Sequence, residues 1–182
     1  MSSEFILGFV AGEGSFYVSV SERANSRVKI TPAFSIKVYE MDVLQSIKEE
    51  LGVGKIDKYE DEYSLNVQSR PECEKVRKFV NENCTRWFKS THKYEQFKKW
   101  CSVLDILSNW ERNNPPKDEK MKEAVDLAYS IARTNTREET KDYWYSLIDE
   151  SERYTCGEER TNGDICNRPV TSKNEACVWH NN

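Results

Sequence analysis

Apolar and polar residues alternate with a period of two in three well-separated stretches. In 15–21, Phe16, Val18 and Val20 fall on one side and Ser15, Tyr17, Ser19 and Ser21 on the other. In 31–39, Phe34, Ile36 and Val38 oppose Ser35, Lys37 and Tyr39. In 62–69, Tyr63, Leu65 and Val67 oppose Ser64, Asn66 and Gln68. A fourth, less regular strand is expected near 54–59, with Lys55, Asp57 and Tyr59 on its polar side. Such alternation describes half-buried strands of an antiparallel sheet, one face packed on helices and one facing outward. Between and after the strands the period lengthens. Helices are expected over 3–13, 41–51 (ending at Gly52), 71–82 (with Pro71 in the first turn), 91–110, 117–133 and 137–150. The break at Asn113-Asn114-Pro115-Pro116 separates the last two helices from the rest. The class is α+β.

The outward strand face is built from hydroxyl, amide and lysine side chains with few carboxylates, groups that bond to base edges and phosphates. A merely solvated face would account for any one such strand, but three strands sharing this chemistry make that reading less economical. The loop between the first two strands carries Arg23, Arg27 and Lys29 and reads as a long, basic hairpin loop able to reach phosphates along a groove. The opposite turn, Glu60-Asp61-Glu62, is expected to point away from any polyanion.

The most informative stretch is 6–16, Ile-Leu-Gly-Phe-Val-Ala-Gly-Glu-Gly-Ser-Phe. A short apolar helix ends on one acid, Glu13, and a strand follows directly. A carboxylate at a helix C-terminus opposes the helix dipole, so a cation opposite it is the natural complement, and a divalent metal the natural candidate. Gly8 and Gly12 lie four apart on one stripe, where two copies of the helix could meet backbone to backbone. The alternative is an amphipathic helix packed only on its own sheet, which leaves two helix-weakening glycines unexplained.

These residues resemble the signature of the LAGLIDADG homing endonucleases, in the variant ending Gly-Glu-Gly-Ser-Phe. Leu51-Gly52-Val53-Gly54-Lys55-Ile56 and the order of elements resemble the family too, over roughly 4–110. The resemblance implies an αββαββα core with a saddle-shaped four-stranded antiparallel sheet. It implies double-stranded DNA as substrate and a catalytic Mg2+ (or Mn2+) held by Glu13. With a single motif it implies a homodimer, in which paired Glu13 carboxylates cut both strands of a long pseudo-palindromic site. It places Ser15, Tyr17, Ser19, Arg23, Arg27, Lys29, Ser35, Lys37, Tyr39, Lys55, Ser64, Asn66 and Gln68 against DNA, and carries a catalytic role to Lys93, at the entry to the long helix. Two departures stand out. Ala11 replaces a frequent Asp, and Val38-Tyr39 replaces a frequent Gln-Lys pair near the active site. The second keeps open a non-cleaving DNA-binding regulator or an RNA-splicing maturase that uses the same sheet.

Charge refines this picture. The chain of 182 residues has a formal net charge of −4, unusual for a DNA binder. Residues 1–112 carry 17 basic and 17 acidic side chains, so the acidic excess falls wholly in 113–182. No apolar run approaches the ~20 residues of a membrane span. The opening Met-Ser-Ser-Glu lacks a basic region ahead of the first apolar run, and an intracellular protein without a signal peptide is expected. Cys73, Cys84 and Cys101 are scattered among helical patterns and read as small buried hydrophobes.

The other three cysteines form the series Cys156-x9-Cys166-x10-Cys177-x2-His180. Three thiols and an imidazole complete a tetrahedral ligand set, and so few apolar residues accompany them that a structural Zn2+ is expected to fold the segment. The alternative is a tail with incidental cysteines. The expected organisation is an endonuclease-like core over 1–115, a helical extension over 116–152 and a zinc-binding module over 153–182. A protein-interaction module with a zinc tail is a third reading; it gives no reason for the acid after a glycine-containing helix.

Overall fold

A computed structural model describes residues 1–23, 27–108, 118–131 and 139–150. The series Cys156, Cys166, Cys177 and His180 lies outside the described residues.

The chain opens with α1 (Ser3–Gly12), started by Ser2, whose hydroxyl accepts from the Phe5 N–H at 3.3 Å. Such a cap contributes about 1 kcal/mol. Ile6, Leu7 and Val10 bury one side of α1 completely, while the stripe Phe5, Gly8 and Gly12 faces outward, with Phe5 half exposed. The chain then passes straight into β1 (Gly14–Arg23). Gly14 makes that passage possible, since a Cβ there would lie 2.5 Å from the Val10 carbonyl oxygen. Gly14→Ala is therefore expected to destabilise the fold by about 1–3 kcal/mol through overpacking, read as a lowered urea midpoint at unchanged slope.

β1 pairs antiparallel with β2 (Arg27–Val38), Phe16 opposite Phe34 and Arg23 opposite Arg27. After α2 (Met41–Leu51), closed by Gly52 in the left-handed region, come β3 (Lys55–Tyr59) and β4 (Glu62–Val67). The sheet order is β1-β2-β4-β3, antiparallel throughout. The apolar residues expected on one face are there: Phe34, Ile36, Leu65 and Val67 are fully buried and Phe16 and Val18 nearly so. Phe16 sits at the centre, its ring about 5 Å from those of Phe34, Phe97 and Trp100.

Helices cover this face. α3 (Arg70–Asn83) starts at Ser69, whose hydroxyl is 2.6 Å from the Glu72 carboxylate, and Glu72 also accepts from the Gly54 N–H. The one-turn α4 (Arg86–Lys89), capped by Thr85, was not expected from the sequence pattern. α5 (His92–Ser108) lays Phe97, Trp100, Leu104 and Leu107 on the core. α6 (Asp118–Ile131) packs on α5 and β1, and α7 (Lys141–Glu150) on α6 and β2. Their Met121, Ala124, Val125, Ile131, Trp144 and Ile148 join the same core as the sheet. Tyr143 of α7 donates its hydroxyl hydrogen to the Glu22 carboxylate at 3.0 Å, near the end of β1.

Two expectations need correcting. Arg23, Arg27 and Lys29 do not lie on a long loop. The ribbon runs on to the pair Arg23–Arg27, with Lys29 paired to Ser21 within it, because antiparallel pairing continues through polar residues while Val28 and Ile30 are still buried. The outward face is also not uniformly open. Ser35 and Ser64 are buried, the latter at 2%, because short side chains on central strands lie beneath the longer Lys37, Asn66 and Asp57 of neighbouring positions.

Candidate nucleic-acid interface and metal site

Glu13 is the C-cap of α1, exposed, its N–H bonded back to the Phe9 and Val10 carbonyls. It lines an open hollow together with Phe9, Ser15, Ser35, Lys37, Val38, Tyr39, Glu40 and Glu62. The passage from α1 into β1 supplies Glu13 and Ser15, and the far end of β2 supplies Lys37 and the residues that follow it. The acid is thus aimed at the junction of helix end and sheet face. Lys37, assigned from the sequence to the sheet surface, brings an ammonium group to the same hollow. Tyr39 stands 66% exposed at its rim and Val38 is buried beneath.

Glu62 corrects another expectation. The turn Glu60-Asp61-Glu62 does not point wholly elsewhere, because β4 begins at Glu62 and the pairing of Tyr63 with Val38 carries its first residue to the hollow. Glu40 joins it from the start of α2. The sequence signal was available only through strand register.

Lys93, at the start of α5, does not line the hollow. Its ammonium group donates to the Gly14 carbonyl, one residue beyond Glu13. It therefore fixes the helix-to-strand passage.

Across the polar face, Ser15, Ser19, Ser21, Lys29, Lys37, Tyr39, Lys55 and Gln68 are exposed, and Tyr17 and Asn66 partly so. On β3, Lys55 and Asp57 form an ion pair at 2.5 Å. The lysine beside it holds the Asp57 carboxyl below the usual carboxylate range, the Asn66 amide adding to the effect. Burial pushes the Cys73 and Cys101 thiols up to about 12, which disfavours their thiolate forms.

A hard divalent cation suits the oxygen donor chemistry of Glu13, an exposed carboxylate at a helix end. Among the described residues, however, no cluster of three or more His, Cys, Asp or Glu side chains is placed to hold a metal ion.

The family model for LAGLIDADG endonucleases matches residues 6–104, more than half of the chain. The chain belongs to the LAGLIDADG endonuclease family. Among solved structures it is similar to the archaeal intron-encoded homing endonuclease I-Vdi141I complexed with DNA. The identity is 30% over 81% of this chain and 94% of that one, with a TM-score of 0.71. The fold is also shared with the homing endonuclease I-TnaI, at 24% identity, 82% and 97% coverage and a TM-score of 0.65. The I-SmaMI LAGLIDADG homing endonuclease bound to cleaved DNA shares it at 20% identity, covering 82% of this chain and 48% of that one, with a TM-score of 0.67. No curated protein matches. Among the described residues no helix is long and apolar enough to cross a membrane.

Proposed function

We propose that this LAGLIDADG protein is a site-specific DNA endonuclease that acts as a homodimer with Mg2+ or Mn2+ and cuts both strands of a long pseudo-palindromic site. The observation that carries the reading is the position of Glu13, an exposed acid at the end of a helix whose outer stripe is open, at the edge of a polar sheet face. A Cβ on Gly8 or Gly12 would meet nothing within 4 Å in the subunit itself, so packing within one chain does not require either glycine. A second α1 laid on that stripe brings a second Glu13 to the same end and completes the donor set that one chain lacks. When bound there, a divalent ion neutralises the scissile phosphate and lowers the pKa of an attacking water.

The chain's own residues do the rest. The polar sheet face sets the duplex, with Ser15, Tyr17, Ser19, Lys29, Tyr39 and Gln68 among the contacts and Arg23 and Arg27 assigned to phosphates. Lys37 places positive charge beside Glu13, where backbone phosphates converge. Lys93 is a positioning residue that holds the Gly14 carbonyl, and through it the direction of Glu13. The buried Ser35 and Ser64 support their neighbours.

The second reading, a non-cleaving DNA-binding regulator or a maturase, is favoured by the hollow itself. Glu40 and Glu62 add negative charge near the scissile position, and Val38 and Tyr39 stand where relatives often carry Gln-Lys. The deciding experiment offers DNA from around the protein's own gene to purified protein with Mg2+ or Mn2+. Double-strand breaks support the endonuclease; tight binding without a nick leaves the regulator or maturase.

We assign residues 1–115 to the endonuclease-like core, 116–152 to a helical extension and 153–182 to a module in which Cys156, Cys166, Cys177 and His180 hold Zn2+. One zinc per chain is expected from metal analysis of the native protein; its absence removes that module.

A further inference from the structure

The four residues at the β3–β4 end of the polar face form one hydrogen-bonded unit. Lys55 lies opposite Asn66 and Asp57 opposite Ser64 in the ladder. The Asn66 Nδ2 donates both to Asp57 Oδ2 and to the Ser64 carbonyl, each at 3.3 Å, and Asn66 Oδ1 accepts from the Ser64 hydroxyl at 3.1 Å. Both amide hydrogens of Asn66 are thus committed. Reading adenine by the paired donor and acceptor of an amide needs one of them free, so Asn66 acts as a brace for Asp57.

What this unit presents outward is a donor and an acceptor side by side. The Lys55 side chain is 81% exposed and the Asp57 side chain 27%. Charges on an edge strand often serve only to discourage sheet extension. Here both side chains stand on the polar face, and the acid is tied inward to β4. A carboxylate on a face that meets a polyanion is repelled by phosphates. It is tolerated where it meets a donor, and in the major groove the donors are the amino groups of cytosine and adenine. Lysine is a usual partner of the guanine O6 and N7 acceptors. In a G·C pair those acceptors and the cytosine N4 donor lie next to one another on the same groove edge.

We propose that Lys55 and Asp57 together read one G·C base pair in each half-site, Lys55 donating to guanine and Asp57 accepting from cytosine, with Asn66 and Ser64 as positioning residues. This rests on the DNA-binding reading above. The test selects bound duplexes from a randomised library with the full chain, sequences them, and repeats this with Asp57→Ala and with the exchanged pair Lys55→Asp/Asp57→Lys. Wild type is expected to enrich a two-fold symmetric site. Asp57→Ala should relax one G·C position per half-site by roughly tenfold and leave the other positions unchanged. The exchange should favour C·G at that same position. Uniform weakening without a change in base preference, a fixed A·T pair at the relaxed position, or identical profiles for all three proteins overturns the proposal while leaving DNA binding intact. Failure of the wild-type chain to enrich any sequence overturns the DNA-binding reading and this proposal with it.

Discussion

Glu13→Gln is expected to lower the rate of strand cleavage by about a thousandfold or more while DNA binding persists. The substitution keeps the volume of the side chain and removes its charge, so the exposed cap of α1 is not perturbed. What is lost is the anionic donor for a divalent ion, an interaction of several kcal/mol in the transition state. Binding depends on sheet contacts spread over many positions, and one fewer negative charge near the phosphates favours it. Band-shift affinity and single-turnover cleavage on the same duplex separate the two effects. Parallel loss of both assigns Glu13 to duplex binding, and unchanged cleavage removes it from the reaction.

Gly12→Leu is expected to separate the subunits without unfolding them. Within one chain the new side chain starts in open space, and leucine is a better helix former than glycine by nearly 1 kcal/mol. The thermal midpoint of the subunit should therefore hold or rise. Across a two-fold axis the added bulk falls twice, at about 1–3 kcal/mol for each copy, so self-association should weaken at least roughly thirtyfold. Light scattering reports the mass and the cleavage assay should go silent together with it. A dimer of unchanged strength places the subunit contact away from α1.

The sheet and α1 were legible because their signals are local. Alternation over five or more residues marked β1, β2 and β4, and Phe34, Ile36 and Leu65 are buried as that alternation required. The stop at Gly52 and the acid ending α1 are each written in one or two side chains. Features set by register or by neighbours were less visible. α4 is too short to show a period, and its one sign is Thr85 capping the Phe88 N–H. The continuation of the β1–β2 ribbon to Arg23 and Arg27 follows from pairing that polar residues do not announce. The burial of Ser64, and the arrival of Glu62 in the hollow, depend on which strand lies beside which. The sequence also grouped Lys37 with the sheet contacts and Lys93 with the catalytic acid; long side chains reach sites that residue spacing does not reveal.

The bond between Tyr143 and Glu22 bears on how much DNA one subunit can measure. The β1–β2 pairing joins ten residue pairs, a ribbon about 33 Å long, close to one turn of B-form duplex. A two-stranded ribbon of that length is floppy by itself, and a floppy arm averages over several base pairs at its tip. Here α6 packs against β1, α7 against β2, and Tyr143 bonds to Glu22 near the outer end. On the DNA-binding reading proposed above, the late helices work as a splint, and the sharpness of base choice at the outer ends of a target is set from the side of the molecule that faces away from it.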